Sequence, residues 1–181
     1  MKAAGATAKW KTFPIGGEIR PELWKKSFTA RRHKRDQGFV KCVERVHATW
    51  MMDTGLFDRQ IPMDAKRKAK ALKEVARMGY ELHLSEAVWK NGELSLTVEN
   101  RGVAPFYHDW TIAFQQAVQD LSSYPKGWNL SEVLPGKPVR WTLKVGKSPV
   151  YRLRIPNPMK GGKPLRFANK DQGQEWLRIE L

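Results

Sequence analysis

The rhythm of apolar and polar positions changes once along the chain. Up to Gly79, apolar residues recur at helical spacing between short apolar runs; beyond it they alternate with polar ones. A brief apolar run at residues 13–16 ends in Gly16 and Gly17 and leads through Glu18, Ile19 and Arg20 to Pro21, a residue suited to the first turn of a helix. Phe39, Cys42, Val43 and Val46 fall at offsets of zero, three, four and seven, which predicts one face of a helix. Residues 47–52, from His47 to Met52, then read as a short buried strand. A further helix is predicted from Pro62 or Asp64, with Ala65, Ala69, Leu72 and Ala76 on its inward stripe and Gly79 as its C-terminal cap. Strand, helix, strand, helix is the order of an α/β unit with parallel strands.

From Tyr80 onward the period is two. Tyr80, Leu82 and Leu84 alternate with Glu81, His83 and Ser85, and Leu94, Leu96 and Val98 alternate with Glu93, Ser95 and Thr97. Asn91-Gly92 between these runs is a hairpin signal, because both residues tolerate the positive φ angles of a two-residue turn. Further strands are predicted at residues 110–118, 129–134, 139–145, 150–155 and 176–181, each bounded by proline and glycine. About seven short strands in about 100 residues, with no helical period, describe an antiparallel β-sandwich of immunoglobulin-like size. The predicted class is therefore mainly β with an α/β N-terminal part, divided into residues 1–78 and 79–181.

Composition narrows the function classes. The chain has 181 residues, and its share of apolar residues is that of a globular protein rather than a disordered one. No apolar run reaches the roughly 20 residues of a membrane-spanning helix, and the first ten residues lack the apolar core of a secretory signal. A single cysteine, Cys42, leaves no intrachain disulfide and no cysteine-rich zinc site. The histidines at 33, 47, 83 and 108 lack metal-ligand spacing, and neither a glycine-rich phosphate loop nor a nucleophile motif is present, so no metal or cofactor is expected.

The formal charge is +15, and it is uneven: 19 basic and 8 acidic residues lie up to Gly79, against 14 and 10 after it. The densest basic runs are residues 31–35 and the set Lys66, Arg67, Lys68, Lys70 and Lys73. A small basic protein that binds nucleic acid is one reading of this excess. The other is a solvated outer helix face, since the aromatic residues are not interleaved with the cations as a base-stacking groove requires.

Chemistry concentrates in a few places. Glu18 follows the first strand, and the C-terminal ends of parallel strands are where barrel enzymes gather catalytic groups. Arg20 is near enough in sequence to hold Glu18 ionised, though Glu18 and Glu22 would equally favour a helix N-terminus. On the second strand, His47 and Trp50 could meet the same mouth, with Trp50 stacking on a sugar ring and Asp53 accepting from a hydroxyl; a buried histidine and a core tryptophan are the plainer alternatives. In the later part, Tyr107 and Trp110, with His108 and Asp109, form either a polar-aromatic platform or the anchor of a corner between sheets. Trp89 and Trp128 are further candidate stacking faces.

The string Met78-Gly79-Tyr80, residues 94–100, Gly102, residues 104–107 and Asp109, continued by Leu134-Pro135-Gly136 and Phe167-Ala168-Asn169, resembles the domain of unknown function 4832. That is a β-sandwich found after (β/α)8-barrel regions in bacterial glycoside-hydrolase-like proteins. Upstream, Gly16-Gly17-Glu18 with Arg20-Pro21 resembles the seventh strand of such a barrel, and residues 47–50 its eighth. The resemblance implies that residues 1–78 are a barrel remnant, that Glu18 matches the nucleophile and Trp50 the sugar platform, and that the acid/base belongs to strand four. It thus implies the C-terminal part of a longer, glycosidase-like protein. An upstream barrel segment would be its partner, polysaccharide or oligosaccharide its ligand, and any secretion signal would lie on the parent. Alone, such a chain would not be an active enzyme.

Overall fold

The computed structural model describes residues 6–29, 38–52, 63–116 and 122–181; the basic run 31–35, Asp53, Pro62 and the end of the strand predicted over 110–118 lie outside them. The chain divides into two compact units, Met1–Tyr80 with Gly102–Ala104, and Glu81–Arg101 with Pro105–Leu181. Among the described residues it is mainly β, with two α-helices and two antiparallel sheets beside one parallel pair.

In the first unit β1 (Ile15–Glu18) and β2 (Ala48–Met52) pair in parallel, with Gly16 opposite Trp50 and Glu18 opposite Met52. Between them come a 3-10 turn at Pro21–Lys26 and α1 (Phe39–Val46); α2 (Ala65–Val75) follows β2. The apolar stripe of α1 is buried at Val43, which shares a small core with Ala48 and Val103, edged by Phe39, Met51 and Met78. At the far end of the stripe Val46 is exposed. The Asp64 carboxylate caps α2 by accepting from the Arg67 N–H at 2.8 Å, an interaction typically contributing about 1 kcal/mol.

Helix α2 turns the opposite way from its alanine pattern. Ala65, Ala69, Leu72 and Ala76 are exposed, while Arg67 and Ala71 are buried. The reason lies in the backbone of the preceding turn: Arg67 Nε donates to the Ser27 carbonyl and Lys70 Nζ to the Thr29 carbonyl, each at 2.8 Å. Satisfying two carbonyls while burying long aliphatic stems outweighs the small gain from burying alanine methyls. Gly79 is likewise not the helix cap, a position held by Ala76. With φ at 75°, Gly79 instead donates to the Ala48 carbonyl and accepts from Val103 and Ala104, tying β2 to Gly102–Ala104.

In the second unit β3 (Leu82–Lys90), β4 (Glu93–Asn100) and β6 (Val139–Lys144) form one sheet, and β5 (Ala113–Gln115), β7 (Val150–Arg154) and β8 (Leu177–Glu180) the other. Asn91 and Gly92 have φ of 52° and 82°, the doubly left-handed pair of a type I′ hairpin. One core draws on both sheets, with Leu82, Leu94, Leu96, Val98 and Trp141 from the first and Phe114, Tyr151, Leu153, Leu177 and Ile179 from the second. The fully buried Tyr151 donates its hydroxyl to Gly146 O at 2.8 Å and accepts from Ser148 N at 2.9 Å, fixing the connection between β6 and β7.

Two predicted strands differ. Residues 129–134 hold a 3-10 turn, Leu130–Glu132, because Leu130 and Val133, three apart, are both buried, and the Asp109 carboxylate accepts from Ser131 N at 2.9 Å. The run from 110 shortens to Ala113–Gln115, since Trp110 leaves the ladder to pack edge-on against Phe106, ring centres 5.2 Å apart.

Candidate functional site

A cavity of about 220 Å³ opens in the first unit beside the C-terminal end of β1. Glu18 and Arg20 line it with Lys26, Lys41, Lys70 and Glu74, and its apolar wall is made by Leu23, Phe28, Phe39 and Met51. The first turn of α1 also opens onto it, and the N-cap Gly38 offers no side chain to those N–H groups. Phe28 adopts a left-handed φ of 60° and packs against Phe39 at 4.9 Å; for a bulky residue that conformation costs of order 1–3 kcal/mol. Strain of this kind is retained where the surroundings over-determine a wall.

Parallel pairing brings the C-terminal ends of β1 and β2 together, so Glu18 stands beside Met52 at one edge. Arg20, however, turns to Glu22, with Nε 3.1 Å from its carboxylate, rather than to Glu18. Of the other carboxylates on the lining, Glu74 is ion-paired with Lys70 at 3.8 Å. The basic set on α2 is therefore split: Arg67 and Lys70 serve the fold, and Lys66, Lys68 and Lys73 face solvent.

Trp50 and Met52 alternate with Met51 along β2 and are half-exposed. The Trp50 indole covers Gly16 so closely that a β-carbon there would lie 2.1 Å from the ring. That contact explains a glycine at this position better than a sharp turn does. His47 is not at this edge. It precedes β2 at the opposite end, in the left-handed conformation that ends α1. Its Nδ1 lies 2.6 Å from the Val103 carbonyl and its ring stacks on Trp10 at 3.6 Å, so it is a structural connector.

In the second unit Tyr107 and Trp110 are half-buried, and Trp110 packs on the core. Trp128 is buried and stacks on Trp141 with ring centres 5.3 Å apart, which removes it as a platform. Trp89 is half-buried, its indole N–H donating to Val145 O at 2.8 Å and the Lys147 ammonium 5.8 Å from its ring. Sequence reading missed Phe28, Phe39 and Lys70 as cavity residues, because only folding brings Ser27–Thr29, α1 and α2 together. No group of three or more histidine, cysteine or acidic side chains among the described residues could hold a metal ion. Among the described residues no helix is long and apolar enough to cross a membrane.

Comparison with protein-family models, with curated proteins and with solved structures returns no significant match.

Proposed function

We propose that the chain is the C-terminal portion of a glycoside-hydrolase-like protein. In this reading the first unit supplies the last two strand-helix units of a (β/α)8 barrel, and the second is an immunoglobulin-like β-sandwich related to the domain of unknown function 4832. The sandwich is an accessory domain that supports the barrel and holds carbohydrate.

The observation that carries the reading is the parallel β1–β2 pair with Glu18 at its C-terminal edge. Parallel strands are stable when both faces are covered and neighbours extend the sheet. Here β2 carries half-exposed Trp50 and Met52, as a strand that lost its neighbours in a barrel would. Glycoside hydrolysis needs two carboxylates flanking the bond, roughly 5–9.5 Å apart. The pair supplies one strand-end glutamate, Glu18, so the chain by itself is expected to be inactive and the acid/base to come from a barrel segment of the parent.

Affinity electrophoresis in gels containing polysaccharide, run at low and high salt, tests this function. Retardation that survives high salt supports it. Binding to duplex DNA or RNA that falls steeply with salt would favour the nucleic-acid reading of the basic runs instead, because counterion release sets that slope.

A further inference from the structure

The outer face of the second sheet carries a cluster of guanidinium groups, one of which, Arg152, has no carboxylate partner among the described residues. Along β7 the core takes Tyr151 and Leu153, so Arg152 and Arg154 point outward. Arg152 pairs across the strands with Arg178 of β8 and with Gln115 of β5. Like charges directly opposite on a sheet are destabilising, so this placement has a cost that packing does not return. Arg178 pairs with Glu180 at 2.7 Å and Arg154 with Glu175 at 3.3 Å, whereas Arg152 has no carboxylate partner among the described residues. The Arg154 guanidinium also lies over the Trp176 ring, 5.9 Å from its centre. Arg152, Arg178, Trp176, Asp171, Gln174 and Glu175 line an open, shallow hollow on this face.

We propose that this hollow binds an acidic polysaccharide, with a sugar carboxylate held between Arg152 and Arg178. The inference rests on the carbohydrate-binding reading above and names its ligand class and face. Paired guanidiniums match a carboxylate in planar, charge-assisted geometry. An indole beside them offers an apolar surface to a sugar ring, and Asp171, Gln174 and Glu175 accept from its hydroxyls. A duplex nucleic acid fits less well, because the carboxylates and the indole beside the arginines would meet hydroxyls and a ring face on a sugar but only phosphates on a duplex backbone. Arg154 is a positioning residue in this arrangement, acting through Trp176.

The test is affinity electrophoresis with polygalacturonate, fully methyl-esterified polygalacturonate and duplex DNA, on the full chain and on Arg152→Gln and Trp176→Ala. Melting temperatures verify that each variant folds. The expected result is retardation by polygalacturonate that weakens about tenfold or more on esterification and equally in Arg152→Gln. Esterification alters only the ligand, so it remains decisive if Trp176→Ala fails to fold. Equal retardation by the esterified polymer, or an unchanged Arg152→Gln, overturns this site and leaves the general carbohydrate reading standing. Retention by no polymer overturns this site alone, and retention by DNA alone overturns this site and favours the nucleic-acid reading of the basic runs.

Discussion

Asn169 supplies the strongest check on how the second unit is held together. Its side-chain amide accepts from Leu84 N at 3.0 Å and donates to Leu84 O at 2.8 Å, behaving as a short neighbouring strand where the β3–β4 register shifts between Leu84 and Glu86. The adjacent Ala168 N–H adds a bond to Leu82 O at 2.8 Å. Asn169→Ala removes two hydrogen bonds from a half-buried edge that water partly reaches, so each loss is near the middle of the usual range and the sum is about 2 kcal/mol. For a unit of about 100 residues this lowers the melting temperature by about 8–16 °C. Asn169→Asp is the informative companion. It keeps the acceptor for Leu84 N but sets a carboxylate oxygen against Leu84 O, so it should be at least as destabilised at neutral pH and recover partly as pH falls through about 4, where the acid regains a donor. Thermal melts followed by circular dichroism measure both variants. A change within about 0.5 kcal/mol for Asn169→Ala would refute the strand-mimic argument, since surface substitutions without such a role fall in that band.

Two further predictions concern the first unit. Gly16→Ala places a methyl 2.1 Å from the Trp50 ring and should displace the indole, costing about 1–3 kcal/mol and shifting tryptophan emission; an unchanged spectrum would mean Trp50 does not lie on β1. Burial raises the Tyr80 phenol above its ordinary value of 10.0. Its contribution to folding is therefore complete below that value and lost as pH climbs through the raised folded one. Alkaline melts should show wild type losing stability in that window and Tyr80→Phe losing less; parallel curves would assign the loss elsewhere.

Asn100 shows how a motif can be legible while its purpose is not. Asn100 and Gly102 stand out in the chain as part of a recognisable string, yet the Asn100 amide accepts from Glu81 N at 3.0 Å and donates to Val133 O at 3.2 Å, making it a strand-end clamp. Glu18 illustrates the converse. Its place after a strand is readable from the chain, but its distance from Arg20 is not, because the following 3-10 turn swings Arg20 to Glu22.

The alternation of apolar and polar residues determined the β-rich second unit, including its Asn91-Gly92 hairpin, because a side-chain period of two admits few other local structures. Helical spacing likewise located α1 and α2. Tertiary structure alone decided which face of α2 turns inward, since alanine burial is weak and two distant carbonyls drew Arg67 and Lys70 across. It alone also set Arg152 against Arg178, because the register between β7 and β8 joins segments far apart in the chain, and no local pattern encodes which residues become neighbours.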